Sequence, residues 1–143
     1  MKIAKKNAKQ YLLEPVGYVR SELKKRKNAP RQGYLGAPEA RVEILPAFAK
    51  CLHRLGEGEE VILITWLHEA QRSVMKVHPG NDMNNPLTGV FATRSPDRPN
   101  PLGLHRVKIV EMDGLRLRVG PIEAIDGTPV VDIKPVLTKS CDE

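Results

Sequence analysis

The sequence is poor in aromatic side chains and in cysteine. Only 4% of its 143 residues are aromatic, and its two cysteines, Cys51 and Cys141, are far apart. Few aromatics argue against an open sheet on which nucleic-acid bases stack. Two distant cysteines form no disulfide framework and favour a reducing, cytoplasmic location. No apolar run approaches the ~20 residues that cross a membrane, so no membrane partner is expected.

Several cofactor and catalytic motifs are also missing. No Gly-x-Gly-x-x-Gly follows a predicted strand, because Gly56-Glu57-Gly58 precedes one instead. This excludes the doubly wound nucleotide-binding fold that uses that motif. The four histidines share no metal-ligand spacing, and the cysteines add none, so no metal is predicted. A Ser-His-Asp hydrolase fits poorly, because the sequence has no nucleophile-elbow motif.

Charge and size fit a single globular domain with an anionic partner. The net charge is +6 and the isoelectric point is near 9.5, a balance that favours RNA but also occurs in proteins without such a partner. We expect a flexible basic leader over residues 1–13, one domain over 14–138 and a tail over 139–143. The charged loop from Lys24 to Asn28 is either a solvated loop or a phosphate contact.

The pattern of apolar residues predicts a mainly β fold. Strands are expected over residues 15–20, 41–45, 61–67 and 130–134, with a hairpin over 106–120. One helix is expected after Pro46, with Phe48, Leu52 and Leu55 at helical spacing, Cys51 on its apolar face and Gly56 as its end. Residues 68–88 read as a long loop. Many strands, one short helix and no βαβ alternation predict a single antiparallel β-barrel.

The hairpin around Asp113-Gly114 has two competing registers. A two-residue turn would pair Met112 with Leu115, but it would place Lys108 on the apolar face. A three-residue loop would pair Ile109 with Leu117 and Val107 with Val119, with Gly114 in a left-handed conformation. We favour the second register, because it leaves four basic residues on the opposite face, which is either a solvated barrel exterior or an RNA contact. These are Arg106, Lys108, Arg116 and Arg118.

The most informative segment runs from residue 89 to residue 103. It opens as a short apolar strand, Gly89 to Thr93, and continues as Arg-Ser-Pro-Asp-Arg-Pro-Asn-Pro-Leu-Gly. Three prolines fix the backbone and prevent a helix or a central strand from continuing. The stiff loop should hold Arg94, Asp97, Arg98 and Asn100 in fixed directions, which suits ligand binding because little entropy is lost there. The alternative is a solvated proline-rich connector.

This segment and three others resemble the TrmO family, also called TsaA-like or YaeB-like. The others are Pro-Val-Gly-Tyr-Val-Arg-Ser at residues 15–21, Pro-Arg-Gln-Gly at 30–33 and Asp-Gly-Thr-Pro-Val-Val-Asp-Ile-Lys-Pro at 126–135. The resemblance covers about residues 14–136. It implies a β-barrel methyltransferase that uses S-adenosyl-L-methionine and methylates N6 of threonylcarbamoyladenosine beside the tRNA anticodon. It also implies a homodimer with the site near the interface.

The resemblance also assigns site residues. The cofactor contacts it implies are Gly33, Tyr34, Leu35, His68, Glu69, Arg94, Leu104, Gly120, Pro121, Ile122 and Glu123. We expect Asp97, Arg98 and Asn100 to bind substrate. Because the lone pair of the acceptor nitrogen is delocalised into the carbamoyl group, loss of its proton should accompany attack. The candidate bases are His68, Glu69 and Asp97, and the sequence does not choose among them.

Four departures from the family pattern bear on the acceptor. His105 stands where the family often has a small hydroxyl residue, and Val136 replaces a frequent tyrosine. The loop at residues 78–82 lacks an arginine common there, and the resemblance implies a short form without the C-terminal domain of longer members. Two alternatives therefore stay open. One keeps the cofactor with a small-molecule or other RNA acceptor, and the other is a non-enzymatic protein that binds cofactor or RNA.

Overall fold

The computed structural model describes residues 9–137, which form a closed six-stranded antiparallel barrel and a small two-stranded sheet. The strands are β1 (Gly17–Arg20), β2 (Ala40–Ile44), β3 (Glu60–Trp66), β4 (Lys76–Val77), β5 (Thr88–Gly89), β6 (Leu102–Asp113), β7 (Arg116–Gly120) and β8 (Pro129–Pro135). The barrel order is β1-β2-β7-β6-β3-β8, and β4 pairs with β5. The predicted mainly β barrel is confirmed, and the strands expected at residues 15–20, 41–45, 61–67 and 130–134 lie within two residues of their predicted bounds.

The core fills the inside of the barrel, because side chains alternate in and out along each strand. On β6, for example, Val107 and Ile109 are buried while Arg106 and Lys108 are exposed. Ile122, in the segment after β7, adds a fully buried side chain. The other barrel strands contribute the buried residues Val19, Val42, Ile44, Val61, Leu63, Leu117, Val119 and Val130.

The hairpin between β6 and β7 has neither of the two registers considered from the sequence. Met112 pairs with Leu117 and Asp113 with Arg116, so the turn residues are Gly114 and Leu115. A bulge between Ile109 and Glu111 then shifts the register, and Ile109 pairs with Val119. The extra residue restores inward alternation on both sides of the bulge. The apolar face and the left-handed conformation of Gly114, with a φ of +60°, are as predicted. The predicted strand pairing is wrong.

Short 3₁₀ segments replace parts of the predicted helix and strand pattern. A helix begins at Pro46 as predicted, but it is a 3₁₀ segment over Pro46–Leu52 with non-helical backbone at Phe48, and Cys51 is exposed instead of buried. The strand predicted from Gly89 to Thr93 is wrong: β5 ends at Gly89 and Val90–Ala92 is a 3₁₀ turn. The long loop over 68–88 contains β4 and a turn at Pro79–Asn81.

Both predicted chain ends fall mainly outside the described residues. Residues 1–8 of the expected leader and the whole expected tail, 139–143, are not described, and residues 9–16 have no regular secondary structure. Within residues 9–137, no helix is long and apolar enough to cross a membrane. The domain bounds stay a prediction.

The Asp126-Gly127 turn ties β1 to β8. The N–H of Gly127 donates to the carbonyl of Val19 at 2.7 Å, and the N–H of Val19 donates to the carbonyl of Thr128 at 2.9 Å. The carboxylate of Asp126 accepts a hydrogen bond from the N–H of Ser21 at 3.0 Å and contacts Nζ of Lys24 at 3.2 Å. These contacts give the turn a structural role.

Asp126 should make the barrel sensitive to acid. The hydrogen bond from Ser21, followed by the contact with Lys24, lowers the pKa of Asp126 below its usual value. A carboxyl group with a lowered folded pKa stabilises the protein above its unfolded pKa of about 3.9 and loses that contribution as the pH falls through the folded pKa. We expect Asp126→Asn to cost about 1 kcal/mol at pH 7. Between pH 7 and pH 3, the Tm of Asp126→Asn should fall less than the Tm of the wild type. An equal fall in Tm for the two proteins would contradict this role.

Candidate functional site

The strand order gathers the predicted site residues at one end of the barrel. Because neighbouring strands are antiparallel, the C-terminal ends of β1, β3 and β7 meet the N-terminal ends of β2, β6 and β8. We call this end the upper rim. Every predicted site residue lies in a segment next to one of these strand ends or, for Leu104, near the start of β6. Residues up to 90 positions apart in sequence are thus brought to one face by topology alone.

Two of the predicted cofactor segments touch each other at the upper rim. Gly33–Leu35 is a 3₁₀ turn before β2, and Pro121 follows the end of β7. A Cβ on Gly33 would lie 2.9 Å from the carbonyl oxygen of Pro121, so only glycine permits this approach. The N–H of Ile122 donates to the carbonyl of Pro38 at 3.0 Å. The side chain of Tyr34 is 80% exposed above this contact.

Arg94 and Arg98 have opposite environments in the proline-rich loop. Arg98 is half-buried and donates to three backbone carbonyls, those of Ser95 at 2.8 Å, Val90 at 2.7 Å and Thr93 at 2.6 Å. Its guanidinium therefore holds the loop closed on itself. Arg94 is exposed and makes no hydrogen bond or ion pair with the described residues. The loop is braced by one arginine and presents the other to solvent.

Two arginines outside the predicted set hold the polar residues of this loop. Arg26 donates to the carbonyl of Glu69 at 3.1 Å and forms an ion pair with Oδ1 of Asp97 at 3.1 Å. The same oxygen of Asp97 accepts a hydrogen bond from the N–H of Gln71 at 2.8 Å. The structure thus joins the Lys24–Asn28 loop, the segment after β3 and the proline-rich loop. Sequence reasoning placed Arg26 in a charged run and gave no signal for its partner.

Arg72 secures the other side of the proline-rich loop. Its guanidinium donates to the carbonyl of Pro99 at 2.7 Å and to Oδ1 of Asn100 at 3.1 Å. It also lies over the ring of Trp66 at 5.0 Å, a cation–π contact. Asn100 is therefore held in place by a residue that the sequence did not single out.

His68 and Glu69 follow the end of β3 and remain partly open to solvent. Nε2 of His68 is 3.9 Å from Oε2 of Glu69. Leu104, on β6, points to the outside of the barrel and is 52% exposed. These three predicted cofactor residues lie at the same rim without a direct contact to Arg94 among the described hydrogen bonds and ion pairs.

A buried polar cluster lies just inside the upper rim. His105 points into the barrel, where its Nε2 is 2.7 Å from Oγ1 of Thr65 and its Nδ1 hydrogen-bonds Oε1 of Glu123. The side chain of His105 is only 5% exposed and that of Glu123 is 15% exposed. Glu123 belongs to the predicted cofactor segment, whereas His105 was noted only as a departure from the family pattern, and Thr65 was missed.

The basic face of the hairpin is outward, as predicted, but most of its charges are paired. Arg106 contacts Glu60 at 2.8 Å, and Arg116 lies 3.9 Å from Glu43. Arg118 contacts Glu39 at 2.6 Å, which raises the pKa of Arg118. These pairs favour a solvated, ion-paired surface over an RNA footprint. In the described part of the chain, no three His, Cys, Asp or Glu side chains are grouped as a metal site.

Comparison with known proteins identifies the family. The family model described as the tRNA-methyltransferase O N-terminal domain matches residues 18–143. An S-adenosyl-L-methionine-binding protein of Archaeoglobus fulgidus is 39% identical over 123 residues, which cover 86% of this chain and 87% of that protein.

Solved structures agree with the sequence comparison. A crystal structure of TrmO from Pseudomonas aeruginosa matches 94% of this chain with a TM-score of 0.72 and 32% identity. Another TrmO crystal structure matches 94% with a TM-score of 0.74 and 33% identity. The chain spans 61% and 62% of these two solved chains. The family model covers most of the chain, so the chain belongs to the TrmO family, as its Arg-Pro-Asn-Pro and Asp-Gly-Thr-Pro blocks predict.

Proposed function

We propose that this protein binds S-adenosyl-L-methionine at the upper rim and transfers its methyl group to an acceptor. The observation that carries the proposal is the meeting of the separate predicted cofactor segments at one end of the barrel, with Arg94 presented there unpaired among the described residues. The membership of the TrmO family and the name of the Archaeoglobus relative support the same cofactor.

The rim offers groups that match the chemistry of the cofactor. A free guanidinium can hold the carboxylate of the amino-acid tail by two charge-assisted hydrogen bonds, which is the role we propose for Arg94. Exposed apolar side chains, including those of Tyr34 and Leu104, can cover the adenine. The carboxylate of Glu123 can accept hydrogen bonds from hydroxyl or ammonium groups.

For the acceptor, we propose N6 of threonylcarbamoyladenosine in tRNA. The family description supports a tRNA substrate. The rigid loop that holds Asp97, Arg98 and Asn100 lies beside Arg94 and can position the acceptor for in-line attack, an effect that supplies much of the rate in such reactions. Asp97 is engaged by Arg26 and Gln71, so the open pair His68 and Glu69 offers the better candidates for the base.

We also propose that two copies of the chain associate at the upper rim, in the cytoplasm. Large apolar side chains are exposed there, which a second copy would cover. Phe91 is 87% exposed and Leu102 is 43% exposed beside Leu104. Sedimentation of the wild type and of Phe91→Ser should show a dimer weakened by the substitution.

Binding of the cofactor is tested by calorimetry. The purified protein should bind both S-adenosyl-L-methionine and S-adenosyl-L-homocysteine, because both carry the adenosyl group and the amino-acid tail. If neither ligand binds the wild-type protein, the proposed function is wrong.

The basic loop from Lys24 to Asn28, rather than the hairpin, should contact RNA phosphates. Lys25 and Lys27 are exposed and form no ion pair with the described residues, whereas Arg116 and Arg118 are paired with glutamates. We expect Lys25→Gln with Lys27→Gln to weaken tRNA binding and to reduce the salt slope by up to about 2. The matched double variant Arg116→Gln with Arg118→Gln should change neither. Filter binding from 50 to 200 mM salt measures both the tRNA affinity and its salt slope. A larger effect of the Arg116 and Arg118 substitutions would assign the RNA contact to the hairpin instead.

The second candidate is a protein that binds the cofactor without catalysis. It is favoured by the name of the Archaeoglobus relative, which states binding and no reaction. Cofactor binding without methyl transfer to any tRNA or small molecule would support it.

A further inference from the structure

Thr65 and His105 have no assigned role in the proposed function, although they are buried beside Glu123 at the site. Burial of a polar side chain inside an apolar barrel is costly unless its groups are hydrogen-bonded. Both ring nitrogens of His105 have partners, Thr65 on β3 and Glu123 after β7. The ring therefore connects three segments that meet at the upper rim.

The carboxylate partner places a proton on Nδ1 of His105. The carboxylate of Glu123 can only accept a hydrogen bond, so Nδ1 of His105 carries a proton and donates it. Nε2 is hydrogen-bonded to the hydroxyl of Thr65, a group that can donate or accept. The chain of hydrogen bonds runs from Thr65 through His105 to Glu123, and it fixes the side chain of Glu123 in one orientation.

This orientation leaves one oxygen of Glu123 available. Oε1 is held by His105, whereas Oε2 has no partner among the described residues. No buried side-chain oxygen or nitrogen in residues 9–137 lacks a partner, so Oε2 is open to solvent. Buried Ile122 and Ala124 on either side hold the backbone of this segment. Glu123 is therefore placed firmly and still offers an acceptor to a ligand.

We propose that His105 is a positioning residue for the cofactor site, because it holds Oε1 of Glu123 and directs Oε2 to donors of the ligand. The ligand group is a hydroxyl or an ammonium, since a carboxylate repels phosphate or carboxylate. The inference rests on the proposed cofactor function and adds a role for a side chain that is almost completely buried.

Two substitutions at His105 separate positioning from packing. His105→Asn retains an N–H near the place of Nδ1, whereas His105→Gln places its amide near Nε2 and loses the bond to Glu123. We expect the Kd for S-adenosyl-L-homocysteine to rise roughly 10-fold or more in His105→Gln and less than about 3-fold in His105→Asn. Thr65→Val should lower Tm with little change in Kd, because the bond to Glu123 remains.

A spectroscopic readout and a second site keep the test decisive. The ¹⁵N spectrum of His105 should show a proton on Nδ1, and Glu123→Gln, at the better-exposed end of the cluster, should weaken binding roughly 10-fold without removing that proton. Equal affinity in the Asn and Gln variants, or a ring protonated only at Nε2, would overturn the role of His105 while wild-type binding still supports the proposed function. Failure of the wild type to bind would overturn both.

Discussion

Replacing Arg94 by alanine is expected to weaken binding of S-adenosyl-L-methionine and S-adenosyl-L-homocysteine by roughly 1–3 kcal/mol, the range for a lost hydrogen bond to a charged group. This variant should keep the wild-type Tm, because the exposed guanidinium of Arg94 makes no hydrogen bond or ion pair with the described residues. Calorimetry and thermal denaturation of the same protein sample measure both quantities.

Arg98, four residues further on, is the matched control. Arg98→Ala removes the donor for the carbonyls of Val90, Thr93 and Ser95. We expect a loss of roughly 2–3 kcal/mol in the free energy of unfolding and a fall of several degrees in Tm. Arg98→Ala should weaken cofactor binding only indirectly, to the extent that the substitution disorders the proline-rich loop. If Arg94→Ala lowers Tm and Arg98→Ala does not, the two roles are reversed.

The second large effect concerns the acceptor. Phosphate contacts position an RNA without specifying its sequence, and this chain has few aromatic residues with which to read bases. Recognition should therefore depend on the modified base itself, seated in the rigid loop beside Arg94 and Asp97. We expect tRNA binding to be weak and sensitive to salt, and methyl transfer to require the threonylcarbamoyl group.

This requirement is measured by methyl transfer to tRNA with and without the modification. If the proposed acceptor is right, transfer to modified tRNA should exceed transfer to unmodified tRNA by about 100-fold or more, since the unmodified adenosine lacks the group that the site would hold. Equal rates on the two tRNAs would contradict the proposed acceptor. Absence of transfer to both, with intact cofactor binding, would favour a small-molecule acceptor or a binding protein.

The strands could be predicted from the sequence because alternation along each strand is a local signal. The register between β6 and β7 could not be predicted, since the bulge between Ile109 and Glu111 depends on how the two whole strands pair and not on the residues next to it. Both predicted registers assumed unbroken pairing from the turn to the strand ends. Likewise, Val90 and Phe91 look like a strand by composition, but the proline-rich loop turns the chain into a 3₁₀ segment there.

For the site, the motifs predicted which segments carry chemistry but not how they are held. Arg26, Arg72 and Thr65 act through partners that are 28 to 71 positions away in sequence, and no local pattern indicates such pairs. In the sequence, His105 stood out only as a departure from the family pattern. Its burial and its two partners appear only once β3, β6 and the segment after β7 are placed together.

The central claim is tested most directly by mass spectrometry of anticodon-loop nucleosides. A strain that lacks its own enzyme for this methylation should be compared with the same strain carrying the wild-type chain or Arg94→Ala. We predict that the wild-type chain restores the N6-methylated form of threonylcarbamoyladenosine and that Arg94→Ala restores much less. Threonylcarbamoyladenosine that stays unmethylated in the presence of the folded wild-type chain would contradict the account.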